Sequence, residues 1–262
     1  MYGIPLYGIP SVSTRWLACP RPNPQARVRL FCFPYAGGGA SAFHTWPDKL
    51  PTTVEVYAVH LPGRGNRLKE PPFTQLSPLV QTLTEVLLPH LTAPFAFFGH
   101  SMGALIGFEL ARQLRRQHGP SPVHLFVSGR EAPQLPSPDP PIHALPEPQF
   151  IAELQRFNGT PKEVLEHPEL MQLLIPTMRA DFAVCETYTY TSDAPIDCSI
   201  SAFGGLQDHE VSREQLEAWR DQSRASFSLC MFPGDHFFLD TAEPLLLKTI
   251  ARKLQQSVRM FV

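Results

Sequence analysis

The chain has no apolar run of 18 residues, so nothing in it reads as a membrane-spanning helix and no membrane partner is expected. It has no excess of basic charge. Its 22 Lys and Arg face 24 Asp and Glu, a net charge of −2, which argues against a nucleic-acid partner. The first ten residues lack the basic start and long apolar core of a secretory signal. No two of the five cysteines form a C-x-x-C pair. Their odd number, with two or three in expected strands, fits buried reduced thiols in a cytoplasmic protein and not a disulfide framework. Cys and His show no metal-ligand spacing, so neither a metal nor another cofactor is expected. A Gly run follows the first expected strand, but the Lys and Ser/Thr of a G-x-x-x-x-G-K-[ST] phosphate loop are missing.

What the chain does have is a recurring strand-then-helix pattern. At 262 residues and 43% hydrophobic content it can bury a substantial core. The 29 prolines cluster in loops, above all between residues 132 and 148. Residues 1–26 are Pro-rich and aperiodic, with Tyr-Gly-Ile-Pro repeated at 2–5 and 7–10. They read as an arm with little regular structure. Residues 27–262 read as a single α/β domain with a helical insertion over about 135–190.

Expected strands run over 28–33, 54–59, 95–98, 123–128, 198–203 and 227–232. Expected helices run over 76–91, from the Gly-Ser turn to about 117, over 147–157, 162–167 and 169–185, and over 242–254. Arg112, Arg115 and Arg116 fall at one helix end, where cations suit the dipole. The alternative reading is a docking patch for an acidic partner.

The pattern centres on Phe95-Ala96-Phe97-Phe98-Gly99-His100-Ser101-Met102-Gly103-Ala104. A buried strand runs into Gly-His-Ser-Met-Gly and a helix follows, which is the G-x-S-x-G nucleophile elbow in its proper context. Gly99 and Gly103 remove side chains where strand and helix backbones nearly touch. Ser101 is then held on a strained corner. The amide of Met102 falls at a helix N-terminus, where free N–H groups can hold a developing negative charge. The expected architecture is an α/β-hydrolase fold: a mostly parallel central sheet flanked by helices, with a helical lid insertion.

A nucleophilic serine needs a base and an orienting acid, which in this fold follow in the order Ser, acid, His. His236 follows the last expected strand, where the base belongs. Three acids compete. Asp208 follows the strand one unit before the histidine and ranks first. Glu131, after an earlier strand, ranks second. Asp235 adjoins His236, and adjacent loop residues usually point apart. The loop Phe33-Pro34-Tyr35-Ala36-Gly37-Gly38 is placed to supply a second oxyanion donor, assigned to the Ala36 amide. Tyr35, Arg64 and Phe237 are expected as substrate-binding residues. For Arg64 the competing reading is that it simply fixes its loop.

Four motifs together carry a resemblance: Phe33-Pro34-Tyr35-Ala36-Gly37-Gly38, Leu61-Pro62-Gly63-Arg64, Phe97-Phe98-Gly99-His100-Ser101-Met102-Gly103 and Pro233-Gly234-Asp235-His236-Phe237-Phe238. In this order, over roughly residues 28–256, the chain resembles the type II thioesterases of nonribosomal peptide and polyketide assembly lines. Medium-chain fatty-acyl thioesterases belong to the same group. The family acid matches Asp208. One departure is His209, where the family commonly has Pro. The resemblance implies hydrolysis of acyl thioesters on the phosphopantetheine arm of an acyl- or peptidyl-carrier protein, clearing misprimed or stalled carriers. It implies no cofactor, since the pantetheine belongs to the substrate. A cytoplasmic monomer is expected. The alternatives are a medium-chain fatty-acyl thioesterase, a general small-ester carboxylesterase, or a non-catalytic binding protein that kept the fold.

Overall fold

The computed structural model describes residues 14–136, 140–157, 159–160 and 162–259. Seven strands form one sheet: β1 (Leu17–Ala18), β2 (Val28–Phe33), β3 (Val54–Val59), β4 (Phe95–His100), β5 (His124–Ser128), β6 (Ser199–Gly205) and β7 (Phe227–Phe232). Their order is β1-β3-β2-β4-β5-β6-β7, and every pairing is parallel except β1 with β3.

The strand sequences explain this arrangement. β3, β4 and β5 are buried along their whole length, as a parallel sheet covered on both faces requires. Alternate residues supply two different cores. Phe31, Phe33, Phe95 and Phe97 enter one cluster. Leu30, Cys32, Ala96 and Phe98 enter the other.

Five helices exceed ten residues: α1 (Leu76–Leu87), α2 (Met102–Arg116), α3 (Glu147–Phe157), α4 (Pro168–Glu186) and α5 (Glu243–Arg259). α1 presents Leu76, Leu79, Val80, Leu83 and Leu87 to the first cluster. α5 presents Leu246, Leu247, Ile250 and Leu254 to the second. Leu245 of the same helix is exposed. α3 and α4 belong to the segment between β5 and β6. This segment builds a third, separate cluster from Ile142, Phe150, Leu154, Met171, Ile175 and Met178.

Within the stretch to residue 26 the described residues hold one short strand: Leu17 and Ala18 pair antiparallel with Val59 and Ala58, and Leu17 is fully buried. An open edge strand offers unpaired backbone groups, and β1 covers it. The repeat at 2–5 and 7–10 lies outside the described residues. The arginines of α2 are not a free basic patch. Arg112 is buried and pairs with Glu109, while Arg115 and Arg116 both reach Asp193. Arg112 and Arg115 also donate to the carbonyls of Thr191, Ala194 and Pro195. The cluster clamps the chain that leads into β6, and its charge is largely cancelled where a docking patch would need it.

A polar group buried beneath the sheet sets a pH dependence. His124 on β5 meets Ser257 Oγ at 3.0 Å and Ser201 Oγ at 2.8 Å, and Ser201 meets Ser228 Oγ at 2.9 Å. Burial pushes the imidazole down to about 3. An unfolded histidine titrates near 6.5, so between these values the unfolded chain binds more protons and stability falls as pH drops. His100, also buried, acts in the same sense. Between pH 7 and pH 5 the His124 contribution should be about 2 kcal/mol, or roughly 4–8 °C in Tm for a domain of this size. Thermal unfolding of the wild type at the two pH values, beside His124→Gln, checks this; the variant should show the smaller difference.

Candidate active site

The site collects at the carboxyl edge of the parallel strands. Ser101 follows β4, Asp208 follows β6 and His236 follows β7, where ligand sites of open α/β sheets lie. Ser101 takes φ 52° and ψ −114°, a left-handed conformation that costs a non-glycine residue of order 1–3 kcal/mol. Its amide donates to the Ser128 carbonyl at 2.7 Å, which locks the corner to β5. Glycine is required on both sides of it. A Cβ on Gly99 would lie 2.0 Å from the Gly103 carbonyl oxygen, and one on Gly103 would lie 2.1 Å from the Phe33 oxygen. The second contact ties the elbow to the loop after β2.

His236 Nδ1 lies 3.0 Å from Asp208 Oδ2. Asp208 is fully buried, and its Oδ1 accepts from the amides of Glu210 at 2.8 Å and Val211 at 3.2 Å. Three hydrogen bonds thus fix the carboxylate and the imidazole it faces. Gly205 permits the meeting: a Cβ there would lie 2.2 Å from the Asp235 oxygen, so the loops after β6 and β7 touch through their backbones. The competing acids are occupied elsewhere. Glu131 pairs with Arg130 at 3.0 Å, and Asp235 Oδ1 accepts from the Phe237 amide at 2.9 Å.

Ser101 and His236 line one cavity of about 1300 Å³ with Tyr35, Ala36 and Phe237. Leu154, Phe157, Leu174, Met178 and Phe182 of α3 and α4 form an apolar part of its wall. Phe237 packs edge-on against both Tyr35, with centroids 5.1 Å apart, and His236, at 5.3 Å. The Tyr35–Gly38 turn is closed by the Gly38 amide donating to the Tyr35 carbonyl, with Gly37 at φ +75°. Gly37 N–H donates to Asp181. The amides of Ala36 and Met102 meet no acceptor among the described residues. Ala36 lines the cavity, and Met102 directly follows Ser101, which also lines it.

Arg64 is corrected. It is buried and does not line the cavity. Its guanidinium forms a fork with Asp181, at 2.8 and 2.7 Å, and donates to the carbonyls of Gly38 and Pro62. The loop-fixing role is the one the geometry supplies. Asp181 itself escaped the sequence reading. The signal was present: a lone acid among the apolar positions Ile175, Met178, Ala180 and Val184 of a helix must be buried, and a buried carboxylate needs a cationic partner. His100 also escaped it. Its ring is fully buried beside His236, with Nδ1 2.9 Å from Ser128 Oγ, and burial holds its pKa well below the ordinary range. It stays neutral next to the base.

A family model described as a thioesterase domain matches residues 28–255. The chain is 49% identical over 241 residues to the gramicidin S biosynthesis protein GrsT of Aneurinibacillus migulanus, covering 92% of this chain and 94% of that protein. The solved structure of RedJ, a thioesterase from the prodiginine pathway of Streptomyces coelicolor, is 38% identical. It superposes with a TM-score of 0.82 and covers 89% of this chain and 91% of its own. The type II thioesterase BorB of the borrelidin biosynthetic cluster is 33% identical with a TM-score of 0.83, covering 93% and 97%.

The closeness of the elbow backbones can be checked directly. Gly103→Ala should lose essentially all labelling by a fluorophosphonate serine probe, because its Cβ meets the Phe33 carbonyl and no side chain can rotate away. Circular dichroism of the same sample should show a loosened fold.

Proposed function

The chain belongs to the thioesterase domain family, and from that premise we propose that Ser101, His236 and Asp208 are its catalytic triad, with the Ala36 and Met102 amides as its oxyanion hole. The activity is hydrolysis of acyl thioesters in nonribosomal peptide and polyketide biosynthesis, the setting of its relatives. The observation that carries the residue assignment is the pairing of Asp208 with His236, which lines the same cavity as the strained Ser101.

The chemistry follows from those positions. Asp208 accepts a hydrogen bond from the Nδ1–H of His236 and keeps its own charge, which leaves Nε2 as the basic nitrogen. His236 takes the Ser101 proton as Oγ attacks the thioester carbonyl. The carbonyl oxygen gains a full charge, and the open amides of Ala36 and Met102 receive it. Each donor is worth about 3 kcal/mol by the usual cost of losing one. The intermediate collapses, the C–S bond breaks, and His236 returns its proton to the departing thiolate. Water, deprotonated by His236, then releases the acid from the acyl-serine.

In this reading the thiol is the phosphopantetheine arm of a carrier protein, and the enzyme meets the carrier in trans as a cytoplasmic monomer. The segment between β5 and β6 acts as a lid, because α3 and α4 supply much of the apolar cavity wall around an acyl chain. No cofactor enters any step.

The test is release of acid from a short-chain acyl-phosphopantetheinyl carrier protein. The wild type should turn over, and Ser101→Ala should be reduced to background. Asp208→Asn should lose about 10³–10⁴-fold in kcat, since the wrong imidazole tautomer is then favoured. Glu131→Gln should stay within a few-fold of wild type. Equal loss in Asp208→Asn and Glu131→Gln would refute the choice of acid. Cleavage of free esters with no action on the carrier would point to a general esterase.

A further inference from the structure

We propose that Asp181 and Arg64 are positioning residues for the reaction: their buried ion pair sets where the Ala36 amide stands when negative charge develops on the substrate oxygen. The inference rests on the reading of Ala36 as an oxyanion donor and adds to it the device that holds that donor.

The Tyr35–Gly38 turn is gripped at its second half by both members of the pair. Asp181 Oδ2 accepts the Gly37 amide at 2.8 Å, and Arg64 Nη1 donates to the Gly38 carbonyl at 2.8 Å. The two side chains are joined by a two-pronged fork, Nη1 to Oδ2 and Nη2 to Oδ1. Their side chains are 8% and 4% exposed, so the grip is dry and geometrically narrow. Ala36 lies between Gly37, whose amide Asp181 holds, and Tyr35, whose carbonyl accepts the Gly38 amide at 2.9 Å, so the grip on Gly37 and Gly38 is passed to Ala36 through the closed turn. α4 adds two further contacts to the same loops. Thr177 Oγ1 donates to the Gly63 carbonyl at 2.5 Å, next to Arg64, and a Cβ on Gly37 would lie 3.3 Å from Met178 Cε.

Stability is a poor account of this pair. An apolar pair of similar volume often holds a fold as well as a buried ion pair does. A lone carboxylate beside an oxyanion hole would also oppose the charge that must form there. Arg64 cancels it, so Asp181 can orient the turn without an electrostatic penalty to the transition state. The longest helix of the segment between β5 and β6 is therefore part of the catalytic frame and not of a freely moving cover.

The experiment compares wild type, Asp181→Asn, the double variant Arg64→Met/Asp181→Leu, and Ser101→Ala, all as full chains with acetyl-CoA as substrate. The double variant removes both buried charges together, which keeps it folded if the single change does not. Two inhibitors report on binding: a trifluoromethyl ketone analogue of acetyl-CoA, which Ser101 converts to an anionic hemiketal, and the thioether analogue, which forms no oxyanion. A displaced donor should cost about 30- to 100-fold in kcat. KM and thioether affinity should stay within three-fold, while ketone affinity falls in proportion to kcat. A folded double variant with wild-type kcat and ketone affinity, beside an inactive Ser101→Ala, overturns this inference alone. Equal loss of thioether and ketone affinity overturns it too, because the pair would then only shape the pocket. Undiminished turnover by Ser101→Ala overturns the underlying reading, and this inference with it.

Discussion

Everything at the carboxyl edge of the sheet depends on how closely backbones can approach one another there. The elbow helix begins against the end of its own strand and against the Phe33 carbonyl of the neighbouring strand, both inside the radius of a methyl group. The loops after β6 and β7 touch in the same way at Gly205. These contacts admit no side chain, which is why glycine stands at each of them. They bring the ends of β2 and β4 together, and the loops after β6 and β7 together, without a long, mobile side chain having to bridge the gap.

Electrostatics refine what the backbone contacts permit. Asp208 is buried but receives two amides and the imidazole, so its charge is met in place. Asp181 is buried but receives an amide and a guanidinium. Both carboxylates serve as fixed acceptors in a dry setting, where directed hydrogen bonds hold groups more firmly than in water. His100, squeezed beside His236, stays neutral because burial disfavours its charged form. His100 therefore adds no positive charge beside His236.

The segment between β5 and β6 is bound to the rest of the chain by unequal ties. α4 reaches the loops after β2 and β3 through Asp181 and Thr177, both buried. α3 reaches the loop after β6 through Arg156 and Glu210 at 2.8 Å, where the arginine is half-exposed. The first tie gains from a low dielectric and the second is weakened by water. The apolar cluster inside the segment gives it a core of its own.

Much of this was legible in the sequence, because the signals were local. Ser101 was identified by four neighbours and a change from a run of Phe to helical spacing, and both follow from bonds between residues close in the chain. The parallel sheet was legible in continuous apolar strands, since only burial on both faces tolerates them. His236 was legible from its place after the last strand. Strand order and the family resemblance both put Asp208 ahead of Glu131 in the sequence; what only the tertiary structure adds is the 3.0 Å approach of Asp208 to His236, with Gly205 against the Asp235 backbone. The same holds for Arg64, whose motif marks it as important without saying what it touches. Its partner lies 117 positions away on α4, and no periodicity or spacing carries a contact that exists only after the chain has closed on itself. Pattern along the chain therefore determined the elements and marked Ser101 as the candidate nucleophile. Pairing of charges and approach of backbones between distant segments depend on the packed whole, and only the fold settled them.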